Sequence, residues 1–423
     1  MTPQVVQRTY VTLVLLQTLA ASLIWGVNTL FLLDAGLSLT EAFVANAAFT
    51  AGMMIFEVPT GVIADTFGRR LSFMLGAGTL LVTTLAYLGL WYLEAGIWWW
   101  ILVSALIGLG FTFFSGATEA WLVDALKATG YEGSIETVFG KGQAAGGAAL
   151  LVGTITGGFL GQINLGIPYF ARSFLLLAVV VAAWLWMHDL GFEPQRGVAI
   201  KPQVAGILRN SVKHGFGNPP VRMFLLAAPF ASGVGIWAFY AFQPYLLQLF
   251  GDPNATYLSG IAAAVFALAQ IVGGSSVRLV RKVFATRTSV LAGQVVVGAL
   301  ALIGAGLAEW LNIPVGFWVA IALLTVTALV GALATPLQQA FLNDSIPSEQ
   351  RATVLSFVSL TGSAGGVVTQ PLLGKVADVY SLGIGYIVAG GIYALGLPFV
   401  IAVRRMGLAA DRVTREPQPP VVA

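Results

Sequence analysis

Two carboxylates stand alone inside long apolar runs: Glu57 in the stretch 40–64 and Glu119 in the stretch 97–126. A charge within a membrane-length apolar helix is costly unless it is paired or faces water, so such a residue is a functional candidate by default. Desolvation favours the protonated form of a carboxyl, which is what proton carriage near neutral pH requires. The same two residues would equally serve as hydrogen-bonding groups that cap a gate. The chain shows no comparable basis for catalysis. It has no H-E-x-x-H, no G-x-S-x-G and no G-x-x-x-x-G-K-[ST], and His188 and His214 read as solvated surface residues. With zero cysteines, disulfides and thiolate metal sites are excluded. No cofactor and no metal are expected, and the chain is not read as an enzyme.

The elements that must position those carboxylates follow from composition. The chain is 57% hydrophobic and 9% charged, with a mean hydropathy of +0.86. A soluble domain carries roughly 25% charged residues, so this chain cannot clothe a water-facing surface and most of its exterior must face lipid. Its 50 glycines suit close helix packing in a bilayer, where small residues replace hydrophobic force. Crossing a hydrocarbon core takes ~20 apolar residues in a helix. Runs of that length recur near 10–34, 40–64, 71–94, 97–126, 139–163, 167–188, 221–250, 255–279, 287–309, 314–342, 353–379 and 382–404. Twelve spanning helices in an all-α integral membrane fold are expected, because lipid-exposed strands or loops would leave backbone groups unpaired. The first run is too long for a cleavable leader, has no small-residue cleavage site after it, and reads as the first span.

Basic residues set the orientation. With the N-terminus inside, every Lys and Arg except Arg172 and Lys375 falls on the inner side, including Arg196 and Arg415. The proline-bearing stretch 189–220 reads as a central cytoplasmic loop. It would join an N-terminal half, 1–188, to a C-terminal half, 221–404, with 405–423 as a cytoplasmic, disordered tail. The halves resemble each other at an offset of a little over two hundred residues. Glu119 to Asp124 matches Gln339 to Asp344, Gly61 to Arg70 matches Gly274 to Val283, and Trp25 matches Trp237. The places of Glu57 and Glu119 are taken in the second half by Gln270 and Gln339, which are polar but do not titrate. Proton coupling would therefore belong to the first half, and hydrogen bonding to the second. Trp98, Trp99 and Trp100 read as interfacial belt residues.

Residues Gly61-Val62-Ile63-Ala64-Asp65-Thr66-Phe67-Gly68-Arg69-Arg70 resemble the loop signature G-x-x-x-D-x-x-G-R-R of the major facilitator superfamily, with every fixed position present. The resemblance, with the helix count and the repeat, extends over the whole chain. It implies two pseudo-symmetric six-helix halves and a substrate site between them near the membrane midplane. It also implies that this loop latches the halves together on the inner side. Gly61 would let a neighbouring helix approach, and Asp65 would accept hydrogen bonds from a facing helix N-terminus. Gly68 would make the turn, and Arg69 and Arg70 would anchor the loop at the inner surface. Family equivalents of Asn28, Tyr240 and Gln243 line the central cavity, and Gln270 and Gln339 join them as candidates. Two antiporter signatures are incomplete: the helix-five glycine-proline frame holds Ala149, Gly153, Thr154, Gly157 and Gly158, and helix four has no arginine.

The expectation is a secondary active transporter of a small organic solute working by alternating access. The largely apolar cavity, with no basic residue at midplane depth, points to proton-coupled export of an amphipathic compound by an efflux-type antiporter. Uptake of a neutral metabolite is the alternative, and a channel-like pore the alternative from another class. The implied partners are the small-molecule substrate, protons and membrane lipids, with no nucleic acid. The implied setting is the plasma (inner) membrane, with both termini cytoplasmic and the protein a monomer.

Overall fold

The computed structural model describes residues 1–193 and 200–413 and is all-helical there. Arg196 and Arg415 lie outside the described residues. In chain order the helices are α1 Pro3–Trp25, α2 Asn28–Asp34, α3 Leu39–Phe67, α4 Arg69–Tyr92, α5 Ile97–Thr112, α6 Ala117–Ala128, α7 Ile135–Ile163, α8 Ile167–Trp186 and α9 Ile200–Gly217. There follow α10 Pro219–Phe250, α11 Thr256–Ser275, α12 Val277–Val283, α13 Arg287–Leu307, α14 Val315–Ser345, α15 Arg351–Val379, α16 Leu382–Ala394 and α17 Leu397–Arg405. Among the described residues, 11 helices or helix pairs are long and apolar enough to cross a membrane. The remaining expected span, 353–379, coincides with α15, whose run of Gly, Ser and Thr lowers its hydropathy.

Two compact units make up the chain. The first comprises Met1–Leu208, Ile236–Ala264 and Gly366–Leu382, and the second comprises Arg209–Gly235, Val265–Gly365 and Gly383–Ala423. In the first unit, helices meet at small residues. A side chain at Gly157 of α7 would collide with the Leu23 backbone of α1, and a Cβ at Gly158 would stand 2.8 Å from the Gly260 Cα of α11. The aromatic core stacks Phe31 on Tyr169 at 3.9 Å and sets Tyr87 against Trp100 at 4.9 Å. Trp98 and Trp99 are exposed, but Trp100 is fully buried in this core, which corrects its reading as a belt residue. Its ring turns inward because its indole nitrogen is satisfied by the Ala95 carbonyl at 3.0 Å. In the second unit, Phe224 meets Phe341 at 5.3 Å, and buried Asp411 accepts from the Thr288 backbone N–H at 2.7 Å.

In the first unit two of the predicted spans are broken. The first divides at Gly26–Val27, between α1 and α2. The fourth divides at Phe113–Gly116, between α5 and α6, where Gly116 adopts φ +68°. Backbone groups freed at membrane depth must find partners inside the protein, and here side chains supply them. Gln243 of α10 donates to the Trp25 carbonyl at 2.9 Å and accepts from the Thr29 N–H at 2.7 Å. Ser259 donates to the Gly26 carbonyl. At the second break, Thr60 donates to the Thr112 carbonyl at 3.2 Å and Ser72 to the Phe113 carbonyl at 2.9 Å. Gln243→Leu keeps the volume but strands two buried backbone groups, at ~1–3 kcal/mol each. It is expected to lower the unfolding temperature by many degrees. An unchanged unfolding temperature would show that the break does not depend on Gln243.

Candidate functional site

A polar chain crosses the apolar interior of the first unit. Tyr169 of α8 donates its hydroxyl to Asn28 Oδ1 at 3.0 Å, and Asn28 Nδ2 donates to Asn46 Oδ1 of α3 at 2.9 Å. Asn28 and Tyr240 are half-buried. Half-buried Trp25 meets Phe239 edge-to-face at 6.3 Å, and Phe239 meets Tyr240 at 5.2 Å. Gln243 does not join them as a lining group. It is fully enclosed, with its oxygen and its amide nitrogen both bonded to the break in the first span, so it acts as a strut.

Arg172 of α8 departs most from expectation. Its sequence position put it toward the outside, and the cavity was read as free of basic groups. The structure buries it at 1% exposure, with Nε donating to Thr84 Oγ1 at 3.1 Å and the guanidinium 5.8 Å from the Phe111 ring centroid. Sequence reasoning also missed Asn46 and Tyr169. For Arg172 the signal was present: it sits inside an apolar run, and the scrutiny given to intramembrane acids applies equally to a base.

The two carboxylates lie near the break in the fourth span. Glu57 is half-buried and accepts from Ser115 Oγ at 2.6 Å. Glu119 lies in the first turn of α6, exposed on the protein surface and within electrostatic reach of the Tyr10 hydroxyl. It is therefore not enclosed in mid-helix as the unbroken reading of 97–126 implied. The turn at Phe113–Gly116 restarts the helix just before it. In the second unit, Gln270 is exposed on α11, and exposed Gln339 lines a cavity of about 300 Å³ with Ser232, Gln294, Gln338 and Ser359.

The 61–70 loop takes a conformation of its own. No atom lies within 4 Å of where a Cβ on Gly61 would stand, so no helix approaches there among the described residues. Asp65 does not meet a helix N-terminus; it pairs with Arg69 one turn on, at 2.5 Å. Gly68 makes the turn with φ +112°, a region closed to most side chains, and Asp189 packs against it. Asp189 also accepts from the Arg70 N–H at 2.8 Å, while Arg70 Nη2 reaches the Trp184 carbonyl at 2.6 Å. Arg69 lies 5.8 Å from the Phe192 ring centroid. Both arginines thus anchor the loop to the end of α8. The carboxylate-to-helix contact expected of Asp65 occurs at the other end of α3. There Asp378 of α15 accepts from the Leu39 N–H at 3.1 Å and the Thr40 N–H at 2.8 Å.

Comparison with known proteins agrees with this architecture. The family model described as Major Facilitator Superfamily matches residues 11–310. An uncharacterized MFS-type transporter, YxaM of Bacillus subtilis (strain 168), is 20% identical over 385 residues, covering 88% of this chain and 90% of that protein. The class G tetracycline resistance protein of Vibrio anguillarum is 24% identical over 358 residues, covering 82% of this chain and 84% of the relative. Among solved structures, the nucleoside transporter NupG superposes with a TM-score of 0.77 at 12% identity, covering 95% of this chain and 99% of that one. That last likeness concerns the fold alone.

Proposed function

The chain belongs to the major facilitator superfamily, and on that premise we propose that it exports a small amphipathic organic solute in exchange for protons. The observation that carries this reading is the pair of broken spans in one compact unit. Breaks in spanning helices are where carriers of this kind assemble solute and coupling-ion sites. The first break borders the polar chain of Asn28, Asn46 and Tyr169, and the second borders Glu57 and Glu119. Solute would bind beside the first break, with Asn28 and Tyr240 facing it, and Gln270 and Gln339 would be solute-contacting groups of their own unit. Protons would be taken up and released beside the second break by Glu119, assisted by Glu57. The resemblance to a tetracycline resistance protein supports the outward direction.

The protein would act as a monomer in the plasma (inner) membrane, with both termini cytoplasmic. Its two six-helix halves, 1–188 and 221–404, would be joined by the cytoplasmic loop 189–220 and followed by the cytoplasmic tail 405–423. Gly61, Asp65, Gly68, Arg69 and Arg70 would form a latch that engages in the alternate state. Flux of amphipathic solutes in proteoliposomes, with and without an imposed pH gradient, tests the reading. Solute movement that ignores the gradient would contradict it.

The latch has a test of its own. Asp65→Asn removes only a surface i,i+4 ion pair with Arg69, worth less than about 1 kcal/mol. The variant is therefore expected to keep its unfolding temperature and yet lose most of its transport rate. Wild-type transport kinetics in Asp65→Asn would remove the latch.

A further inference from the structure

We propose that Arg172 receives a carboxylate, so that the solute moved by this protein is an amphipathic organic acid; this rests on the transport reading above and narrows its substrate class. The guanidinium is 1% exposed, and its Nη1 and Nη2 have no hydrogen-bond partner among the described residues. Its electrostatic surroundings are the tyrosines Tyr169, Tyr87 and Tyr240, with no Asp or Glu among them. Elsewhere among the described residues, Arg69 and Arg287 each meet a carboxylate. A buried cation without an anion is expensive, and two parallel N–H groups on a planar fork match the two oxygens of a carboxylate.

A second donor points the same way. In the polar chain each amide or hydroxyl passes its hydrogen on, from Tyr169 to Asn28 and from Asn28 to Asn46. The chain ends on Asn46 Nδ2, which is unpartnered in a residue only 3% exposed. Every unpaired group named here is a donor, so the missing partner is an acceptor. The two ends are linked through aromatic rings: Arg172 rests over Phe111, and Phe111 meets Phe49, one turn along α3 from Asn46, edge-to-face at 5.7 Å. Phe49, Phe111 and Tyr240 are half-buried, so each leaves part of an aromatic ring to cover a solute's hydrocarbon part. The carboxylate satisfies the fork while the aromatic rings take the rest, which is the chemistry of an aromatic or alicyclic acid.

The test compares acids with their neutral amides. Purified full-length protein is heated with benzoate, 2-naphthoate or indole-3-acetate, with the matching amides, and with nitrate. At least one carboxylate is expected to raise the unfolding temperature clearly more than its amide, with nitrate giving no shift. Arg172→Gln is expected to abolish that preference, and Arg172→Lys, which keeps charge without the fork, to cut it about tenfold. Asn46→Ala provides a variant that leaves Arg172 in place, and is expected to weaken carboxylate binding more than amide binding. The carboxylate proposal is overturned if acids and amides stabilise alike, if no acid stabilises, if nitrate does so equally, or if folded Arg172→Gln retains the preference. Should acids bind through Arg172 without any proton-linked flux, the export reading falls and this site stands. Proton-linked flux of acids and amides alike would do the reverse.

Discussion

Glu119→Gln is expected to give a protein that binds its solute and exchanges it across the membrane but cannot concentrate it. In the proposed role, Glu119 follows the turn at Phe113–Gly116, which ends α5 and restarts the chain as α6 at Ala117, two residues ahead of the carboxylate. The carboxylate is exposed rather than packed, so the amide meets no steric barrier. The second half already carries the neutral side chain at the matching place, Gln339. On the proposed reading, a permanently neutral group at 119 would mimic the protonated carrier, leaving the conformational cycle intact and uncoupling it from the proton gradient. Counterflow of labelled solute should persist, while accumulation against a gradient falls to passive equilibration. Uphill transport with normal pH dependence in this variant would reduce Glu119 to a hydrogen-bonding gate residue. Glu57→Gln retains an acceptor for Ser115 and should have the smaller effect.

Gly157→Val is expected to abolish recovery of folded protein. A Cβ on Gly157 would meet the Leu23 backbone, with the Leu23 Cα at 3.1 Å, and backbone cannot rotate away as a side chain can. α1 cannot retreat either, because the break at its end is tied to Gln243 and Ser259. Overpacking usually costs about 1–3 kcal/mol; two branched methyls against fixed backbone should exceed that range. Gly147→Ala on the same helix provides the control, since nothing stands within 4 Å of its Cβ position. Monodisperse Gly157→Val with a near-normal unfolding temperature would contradict the close contact of α1 and α7.

Much of this fold was legible in the sequence, because lipid imposes a length and a polarity on every span. The long apolar runs and the complete 61–70 signature were enough to name the architecture and the family. The breaks were not read from the sequence: 10–34 and 97–126 each pass as one run of membrane length, and only side chains remote in sequence reveal where backbone groups are left free. The same gap hid the roles of single polar residues. Gln243 reads from sequence as readily as a cavity group as a strut, and the structure decides by giving both ends of its amide to the first break. Asp65 and Asp378 differ in the same way. Each is an acid near a helix end, but only the assembled structure shows which of them meets a helix N-terminus. Helix α1 begins at Pro3, ahead of the predicted apolar run, because a helix continues into polar turns that a hydropathy window discards.

The central claim is that solute and proton movements are obligatorily linked, and the most direct test follows protons rather than solute. Purified protein is reconstituted into vesicles that hold a pH-sensitive dye and a standing proton gradient, and solute is then added. Solute addition is predicted to dissipate the gradient in wild-type vesicles and to leave it standing in Glu119→Gln vesicles, although both exchange labelled solute. Solute flux through the wild-type protein with no accompanying change in dye signal would contradict the account.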